Sequence, residues 1–239
     1  MRVCAWWTFA DFVPQNCQGW TVAVVDCLRA TTSVAAALCS GAAGVWPAAE
    51  ETEARTWSSE RGAILAGERH CLPPPGFDLG NSPQGFTPEA VRGRDVVLWT
   101  TNGSRALARA REAGGEVLAF ALANVGAVAA HLGRARPSHL ALVCAGTEGE
   151  FSLEDAFATG ALLSRLGRGE EPLDMDERAQ AARMIYLAGQ DDPRGVLAGT
   201  RAAAKLRAQG LEADVLFAAA QDTLPVVPLW SDGALRAVR

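Results

Sequence analysis

The chain has 239 residues, 49% of them apolar, which is enough for one sizeable α/β core. Its 22 Lys and Arg against 27 Asp and Glu give a net charge of −5, which offers no broad basic footprint for nucleic acid, although a local positive site could still take a compact anion. No apolar run approaches the roughly 18 residues of a membrane-spanning helix, and none of the six cysteines (Cys4, Cys17, Cys27, Cys39, Cys71, Cys144) stands in a Cys-x-x-Cys pair. A soluble, cytoplasmic protein with reduced thiols is expected, not a membrane, disulfide-stapled or zinc-ribbon protein.

In chain order, Met1 to Val13 carries Trp6, Trp7, Phe9 and Phe12, interrupted by Asp11 and without a basic start. It reads as an edge strand or a partner-facing segment suited to a homo-oligomer contact, and not as a signal peptide. Thr21 to Val25 is a valine-rich buried strand ending at Asp26, and Ala30 to Cys39 turns helical until Gly41. Val45 to Pro47 is a second short strand, Glu50 to Glu60 a polar helix-permitting stretch, and Ala63 to Ala66 a third strand. A long loop follows, from Gly67 through His70 and a proline run to Pro83, then a short helix at Pro88 to Arg92. Asp95 to Trp99, Val117 to Leu122 and Leu140 to Val143 read as strands, with helices at Ser104 to Ala113, Asn124 to Arg134 and Leu153 to Leu166. Beyond that the pattern is helical at Asp176 to Ala188, Pro193 to Ala208 and Glu212 to Ala220, with a late strand at Val226 to Trp230. Strands alternating with helices imply a layered α/β/α fold with a mostly parallel or mixed sheet. One domain spans 1–239, with a subdomain boundary at 167–172.

The polar residues gather in five clusters, each at the carboxyl end of a predicted strand. Asp26, Arg29, Thr31 and Thr32 follow the first, and Glu68, Asp78, Asn81 and Ser82 the third. Thr100, Thr101, Asn102, Gly103 and Ser104 follow Trp99, and Asn124 follows the next strand. Cys144, Gly146, Thr147, Ser152, Glu154 and Asp155 close the series. In open α/β sheets the loops at that edge converge on ligands. An acid ending an apolar strand, as Asp26 does, can hold a divalent cation or attack phosphorus, and equally can cap a helix. Arg29, with the neighbouring hydroxyls and helix N–H groups, suits phosphate or sulfonate oxygens. Thr101, Asn102 and Gly103 suit either anion contact or simple capping. Ser152 and Asp155 have capping-box spacing, and the alternative is that an acid of Glu154–Asp155 faces the strand tips and binds a cation. Cys144 is a small core residue or a second choice of nucleophile after Asp26. There is no Walker A pattern, Glu150 rather than Arg stands six positions after Cys144, Leu28 stands where a second aspartate would follow Asp26, and no Gly-x-Ser-x-Gly elbow occurs.

The segments Val24-Val25-Asp26-Cys27-Leu28-Arg29-Ala30-Thr31-Thr32, Gly67-Glu68-Arg69 and Gly76-Phe77-Asp78-Leu79-Gly80-Asn81-Ser82-Pro83 follow one another in a recognisable order. With Thr100-Thr101-Asn102-Gly103-Ser104-Arg105-Ala106-Leu107, then Cys144-Ala145-Gly146-Thr147 and Phe151-Ser152-Leu153-Glu154-Asp155, they resemble the 2-phosphosulfolactate phosphatase family over about residues 22 to 160. The resemblance implies a Mg²⁺-dependent hydrolysis of 2-phospho-3-sulfolactate, a small anionic phosphorylated substrate, to 3-sulfolactate and phosphate, a step toward coenzyme M. It makes Asp26, Glu68, Glu154 and Asp155 metal or catalytic candidates. Arg29, Thr31, Thr32, Asn81, Ser82, Thr101, Asn102 and Gly103 become substrate contacts. Cys27, where the family more often has an aliphatic residue, and Cys71, near a position often held by glycine, depart from the pattern. A phosphatase for another small phosphorylated hydroxy acid, or a non-catalytic anion-binding module on the same fold, are the alternatives; the number of carboxylates disfavours the second.

Overall fold

The computed structural model describes residues 1–167 and 172–238, so residues 168–171 of the boundary expected at 167–172 lie outside the described residues. In chain order the elements are β1 (Arg2–Trp6), β2 (Thr21–Val25), α1 (Ala30–Cys39), β3 (Gly44–Ala48), α2 (Glu51–Arg61), β4 (Ile64–Gly67), α3 (Pro88–Val91), β5 (Asp95–Trp99), α4 (Gly103–Arg111) and β6 (Val117–Phe120). They continue with α5 (Val125–Ala135), β7 (His139–Cys144), α6 (Leu153–Leu166), β8 (Asp174–Met175), α7 (Glu177–Gly189), α8 (Pro193–Ala198), α9 (Arg201–Ala208), α10 (Glu212–Ala219), β9 (Val227–Ser231) and β10 (Ala234–Val238). The strongly apolar runs became strands buried on both faces, as in β2, which suits a parallel sheet covered by helices.

All the strands form one mixed sheet in the order β4-β5-β3-β10-β9-β6-β2-β7-β1-β8. Its two ends are parallel blocks, β4-β5-β3 and β6-β2-β7-β1-β8, and the C-terminal hairpin β9–β10 joins them through successive antiparallel pairings. Each joint is minimal: Leu235 registers with Val45 on one side and Leu118 with Leu229 on the other. Ladders this short leave the blocks free to cross at an angle instead of lying flat. The sheet accordingly wraps around α1 and α4. One core unites Val24 and Ala119 from the larger block, Val45, Ile64 and Leu98 from the smaller, Leu235 from the hairpin, and Val34, Leu38, Ala106 and Leu107 from the two helices. The opposite face of the larger block packs Phe120 and Leu142 against α6 and α7 through Phe157, Leu162 and Tyr186. A smaller cluster seats α2 on the outer block through Ala54, Leu65, Val97 and Trp99.

Three expectations change. The stretch from Pro193 to Ala208 is two helices, because Thr200 accepts from Ala203 N–H and starts α9 afresh after Gly199. The N-terminal strand is not the edge: β8 pairs beside it at Arg2 and Val3, and the Asp176 carboxylate accepts from Ala5 N–H beyond. The late strand has a partner, β10, that apolar periodicity did not reveal, since Arg236 interrupts a short Ala- and Val-containing run. The turn chemistry did carry the signal: Asp232 and Gly233 both sit at positive φ (51° and 86°), which is what a tight hairpin demands.

Because Leu235 is fully buried at the joint between the blocks, Leu235→Ala should lower stability by about 2–5 kcal/mol in urea unfolding; a loss below about 1 kcal/mol would mean the hairpin does not join the two cores.

Candidate active site

The turns after β2, β4, β5 and β7 open onto one cavity of about 440 Å³, roofed by α9. That volume is in the ordinary range for small-molecule sites, roughly 300–1,000 Å³. Asp26, Glu68, Glu154 and Asp155 all line it, as do Arg29, Asn81, Thr101 and Asn102. The five predicted clusters therefore converge, with one exception. Asn124, after β6, is fully buried elsewhere, accepting from Ala121 N–H at 2.7 Å and donating to the Val226 carbonyl at 3.1 Å, so it anchors β9.

Each acid is held differently. Asp155 accepts from Cys27 N–H (2.8 Å) and Gly146 N–H (3.1 Å), tying the ends of β2 and β7 together. It does so in place of the predicted capping box: Ser152 occupies the N-cap position of α6 without a side-chain capping bond. Glu68 accepts from the Thr101 backbone N–H (2.9 Å) and hydroxyl (2.8 Å) with one oxygen, and from Cys71 N–H (2.9 Å) with the other. The β4 loop is thereby fastened to the β5 loop. Asp26 accepts from Ala30 N–H at 3.2 Å through Oδ1. Its Oδ2 faces Gly103, where an added Cβ would stand 2.5 Å away, so only glycine lets α4 begin this close to the carboxylate.

The poorly hydrated space raises the cost of ionising Asp26, Glu154 and Asp155. Burial, reinforced by the charges of Glu68 and Glu154, pushes Asp26 up to about 7, against the lowering effects of Ala30 N–H and Arg29. Burial also pushes Glu154 up, and pushes Asp155 well above the usual carboxylate range, aided by Asp26 and Glu154.

Arg29 reaches the cavity wall, but its guanidinium is already engaged. Nη1 donates to Asp214 Oδ2 at 2.6 Å and Nη2 to the Cys71 carbonyl at 2.8 Å, with both partners of the ion pair almost wholly buried. Asp214 Oδ1 also accepts from the Ser82 hydroxyl (2.6 Å) and the Gln84 amide (3.2 Å). Ser82 thus braces Arg29 through Asp214 and does not line the cavity. Thr31 and Thr32 are likewise structural: buried, they donate to the carbonyls of Asp26 and Cys27 and shape the turn. Gly103 contributes closeness, not a lining surface. Cys144 is fully buried below the floor, with Sγ 3.5 Å from the Thr159 hydroxyl, and burial pushes its thiol up. The structure does not bring it to the cavity. Asp78 accepts from Leu65 N–H (2.8 Å) and so braces the long loop against β4.

Two lining residues have buried polar atoms without a partner: Asn81 Oδ1 and Ser152 Oγ. Asn81 is 3% exposed and its carbonyl is fixed by the Ser33 hydroxyl at 2.8 Å. A buried polar atom left unpaired costs about 1–3 kcal/mol, so Asn81 Oδ1 marks where a ligand would supply a missing bond, whereas the Ser152 hydroxyl is near enough to Glu154 to lower its pKa.

The family profile described as 2-phosphosulpholactate phosphatase matches residues 8–233. The chain belongs to the 2-phosphosulpholactate phosphatase family. Relatives named probable 2-phosphosulfolactate phosphatase include one from Thermotoga petrophila, 36% identical over 92% of this chain and 92% of its own length. One from Synechococcus sp. (strain JA-3-3Ab) is 42% identical over 85% of this chain and 86% of its own, and one from Synechococcus sp. (strain RCC307) is 38% identical over 95% and 96%.

Two residues within the family match escaped the sequence reading. Asp214, in α10, has no motif around it, and only the fold sets it against Arg29. Lys205, in α9, lines the cavity and carries a signal of its own, being the only lysine in the chain. For the divalent metal that the family resemblance implies, no three His, Cys, Asp or Glu side chains stand as a ready cage among the described residues. Glu68 and Asp155 already accept bonds at both oxygens. Asp26 and Glu154 fit an ion that takes one or two carboxylates and completes its shell with water and substrate oxygens, as Mg²⁺ does.

Asp26 ionises at higher pH folded than unfolded, so its contribution to stability is full below about pH 4 and is lost as pH rises through about 7. Asp26→Asn keeps the Ala30 bond and should raise the melting temperature of metal-free protein at pH 8 more than at pH 4; an equal shift at both would contradict the raised pKa. Asp214→Ala leaves Arg29 buried without its counter-charge and should cost about 3–5 kcal/mol in chemical denaturation, whereas a loss under about 1 kcal/mol would show that the guanidinium finds water.

Proposed function

We propose that this chain is a Mg²⁺-assisted phosphomonoester hydrolase that converts 2-phospho-3-sulfolactate and water to 3-sulfolactate and phosphate. Family membership supports the reaction class. The observation that carries it to this cavity is Asp26, a carboxyl pushed up to about 7 at the meeting point of the strand ends, with Oδ1 accepting from Ala30 N–H and Oδ2 facing Gly103. A group balanced near neutrality can take or give a proton at working pH, which an ordinary aspartate cannot.

Phosphoryl transfer asks above all for positioning and for neutralisation of charge on the transferred group. Mg²⁺ held by Asp26 and Glu154 would supply that neutralisation. The chain's own residues do the rest. Asn102 and the Ser152 hydroxyl face the phosphoryl oxygens as donors, and Asn81 Oδ1 accepts from a hydroxyl or a bound water. Glu68 holds the Thr101 turn in place, and Asp155 fixes the distance between the turns after β2 and β7. The new bond is from oxygen to phosphorus, and the bond that breaks joins phosphorus to the C2 oxygen, which leaves as the hydroxyl of sulfolactate after gaining a proton. Asp26 acts on the reacting atoms, as base toward the attacking water or as the attacking oxygen itself, in which case water then attacks the phosphorus of the acyl phosphate and frees the carboxylate; acid quench during turnover separates these, since only direct attack leaves a hydroxylamine-labile phosphate on Asp26. Cys144 is left out because it is sealed beneath the floor. The six thiols, free in the structure, suit a reducing compartment, and we place the reaction in the cytoplasm on that ground.

Asp26→Asn should lower Mg²⁺-dependent release of phosphate from 2-phospho-3-sulfolactate by about 10³-fold or more, within the range lost with a general base, while Cys144→Ser keeps most of the activity. Near-normal turnover by Asp26→Asn, or a folded but dead Cys144→Ser, would overturn the assignment.

A further inference from the structure

The cavity is divided by charge. Its floor gathers Asp26, Glu68, Glu154 and Asp155, and Arg29 at its wall is already matched by Asp214. Its mouth carries exposed positive side chains, Arg69 from the long loop and Lys205 from α9. Lys205 is close to half exposed, and its ammonium lies 2.6 Å from Glu148 Oε1. Glu148 belongs to the turn after β7, where Thr147 and Glu150 bond each other through N–H and carbonyl in both directions, at 3.0 Å each. The turn is fastened to α9 a second time by Arg201 and Glu150, at 2.7 Å. The match is one of spacing: positions 201 and 205 lie one helical turn apart on one face, and residues 148 and 150 stand two apart on the loop.

We propose that Lys205 is the specificity residue for the remote sulfonate of the substrate, and that Glu148 holds its place when no substrate is bound. The inference rests on the phosphatase reading of this site. With the phosphoryl group at the floor, a second anionic group at the far end of a three-carbon acid reaches toward the mouth. An ammonium is a compact charge with three rotatable donors, which suits the three oxygens of a sulfonate, whereas the planar fork of an arginine matches a carboxylate pairwise. The chain uses arginine at every other basic Lys or Arg position, yet has its single lysine here. The Glu148 pair is exposed and therefore weak, so a substrate anion can displace it at little cost. Glu148 moves into water as it leaves.

The test is selectivity between 2-phospho-3-sulfolactate and 2-phospholactate, which has a methyl group in place of the sulfonate-bearing carbon. For Lys205→Met, the ratio of kcat/KM between the two substrates should fall at least tenfold, through KM. Lys205→Arg should recover part of the ratio, and Glu148→Gln should raise it by removing the competitor. Sulfolactate binding measured by calorimetry should weaken in step with KM in Lys205→Met. Equal losses on both substrates, or an unaltered ratio with unaltered sulfolactate binding, would overturn the role of Lys205 while leaving the phosphatase reading intact. If the wild-type chain releases phosphate from neither substrate, the phosphatase reading falls and this inference falls with it.

Discussion

A single carboxylate, that of Asp155, holds the ends of two neighbouring strands, accepting from Cys27 N–H on one and Gly146 N–H beyond the other. Both donors are main-chain groups at turns that no ladder satisfies, so the bond is structurally useful as well as charged. The arrangement brings a consequence with it. To reach both turns, the first turn of α6 must enter between them, and Glu154 and Asp155 then bury beside Asp26. Poor hydration there, reinforced by the charges of Glu68 and Glu154, is what moves Asp26 toward neutrality. Structure and chemistry at this point have one physical origin: a helix start that delivers acids to the strand tips instead of to solvent.

The second constraint is topological. The two parallel blocks would keep their carboxyl-end loops far apart if the sheet were flat, because β3, β10, β9 and β6 alternate in direction. Wrapping the sheet around α1 and α4 brings the turns after β4 and β5 against the turn after β2. Contacts of Glu68 with Thr101 and of Arg29 with Cys71 fasten them there. Gly67 and Gly103 make the approach feasible, since a Cβ at Gly67 would overlap the Trp99 carbonyl and one at Gly103 would press on Asp26. The site is thus assembled from both ends of the sheet, with the C-terminal hairpin as the hinge that closes it.

Much of this was legible in the residues. Buried strands such as β2 and β5 announce themselves by unbroken apolar runs, and α6 by a helical run long enough to pass for nothing else, so the α/β class and the gathering of polar turns at strand ends followed from local signals. Residue roles were less legible, because a hydroxyl or guanidinium beside an acid looks the same whether it faces a ligand or a neighbour. Thr31, Thr32 and Ser82 turned inward to satisfy backbone or Asp214. Arg29 kept its place at the wall but found a counter-charge 185 positions away, which no local pattern can encode. The place of Lys205 and α9 in the site was hidden for the same reason, although the helix and the lone lysine were both visible: what makes them part of the site is the roof they form over it.

If Mg²⁺ binds at Asp26 as proposed, it must displace the proton that a carboxyl pushed up to about 7 still carries near neutral pH. Calorimetric titration of Mg²⁺ into substrate-free protein at pH 7, repeated in buffers of different ionisation enthalpy, counts the protons released on binding. The expected result is a substantial fraction of a proton released per Mg²⁺, rising as pH falls toward 6, and loss of that release in Asp26→Asn. Binding with no proton release, or with the same release in the variant, would contradict it.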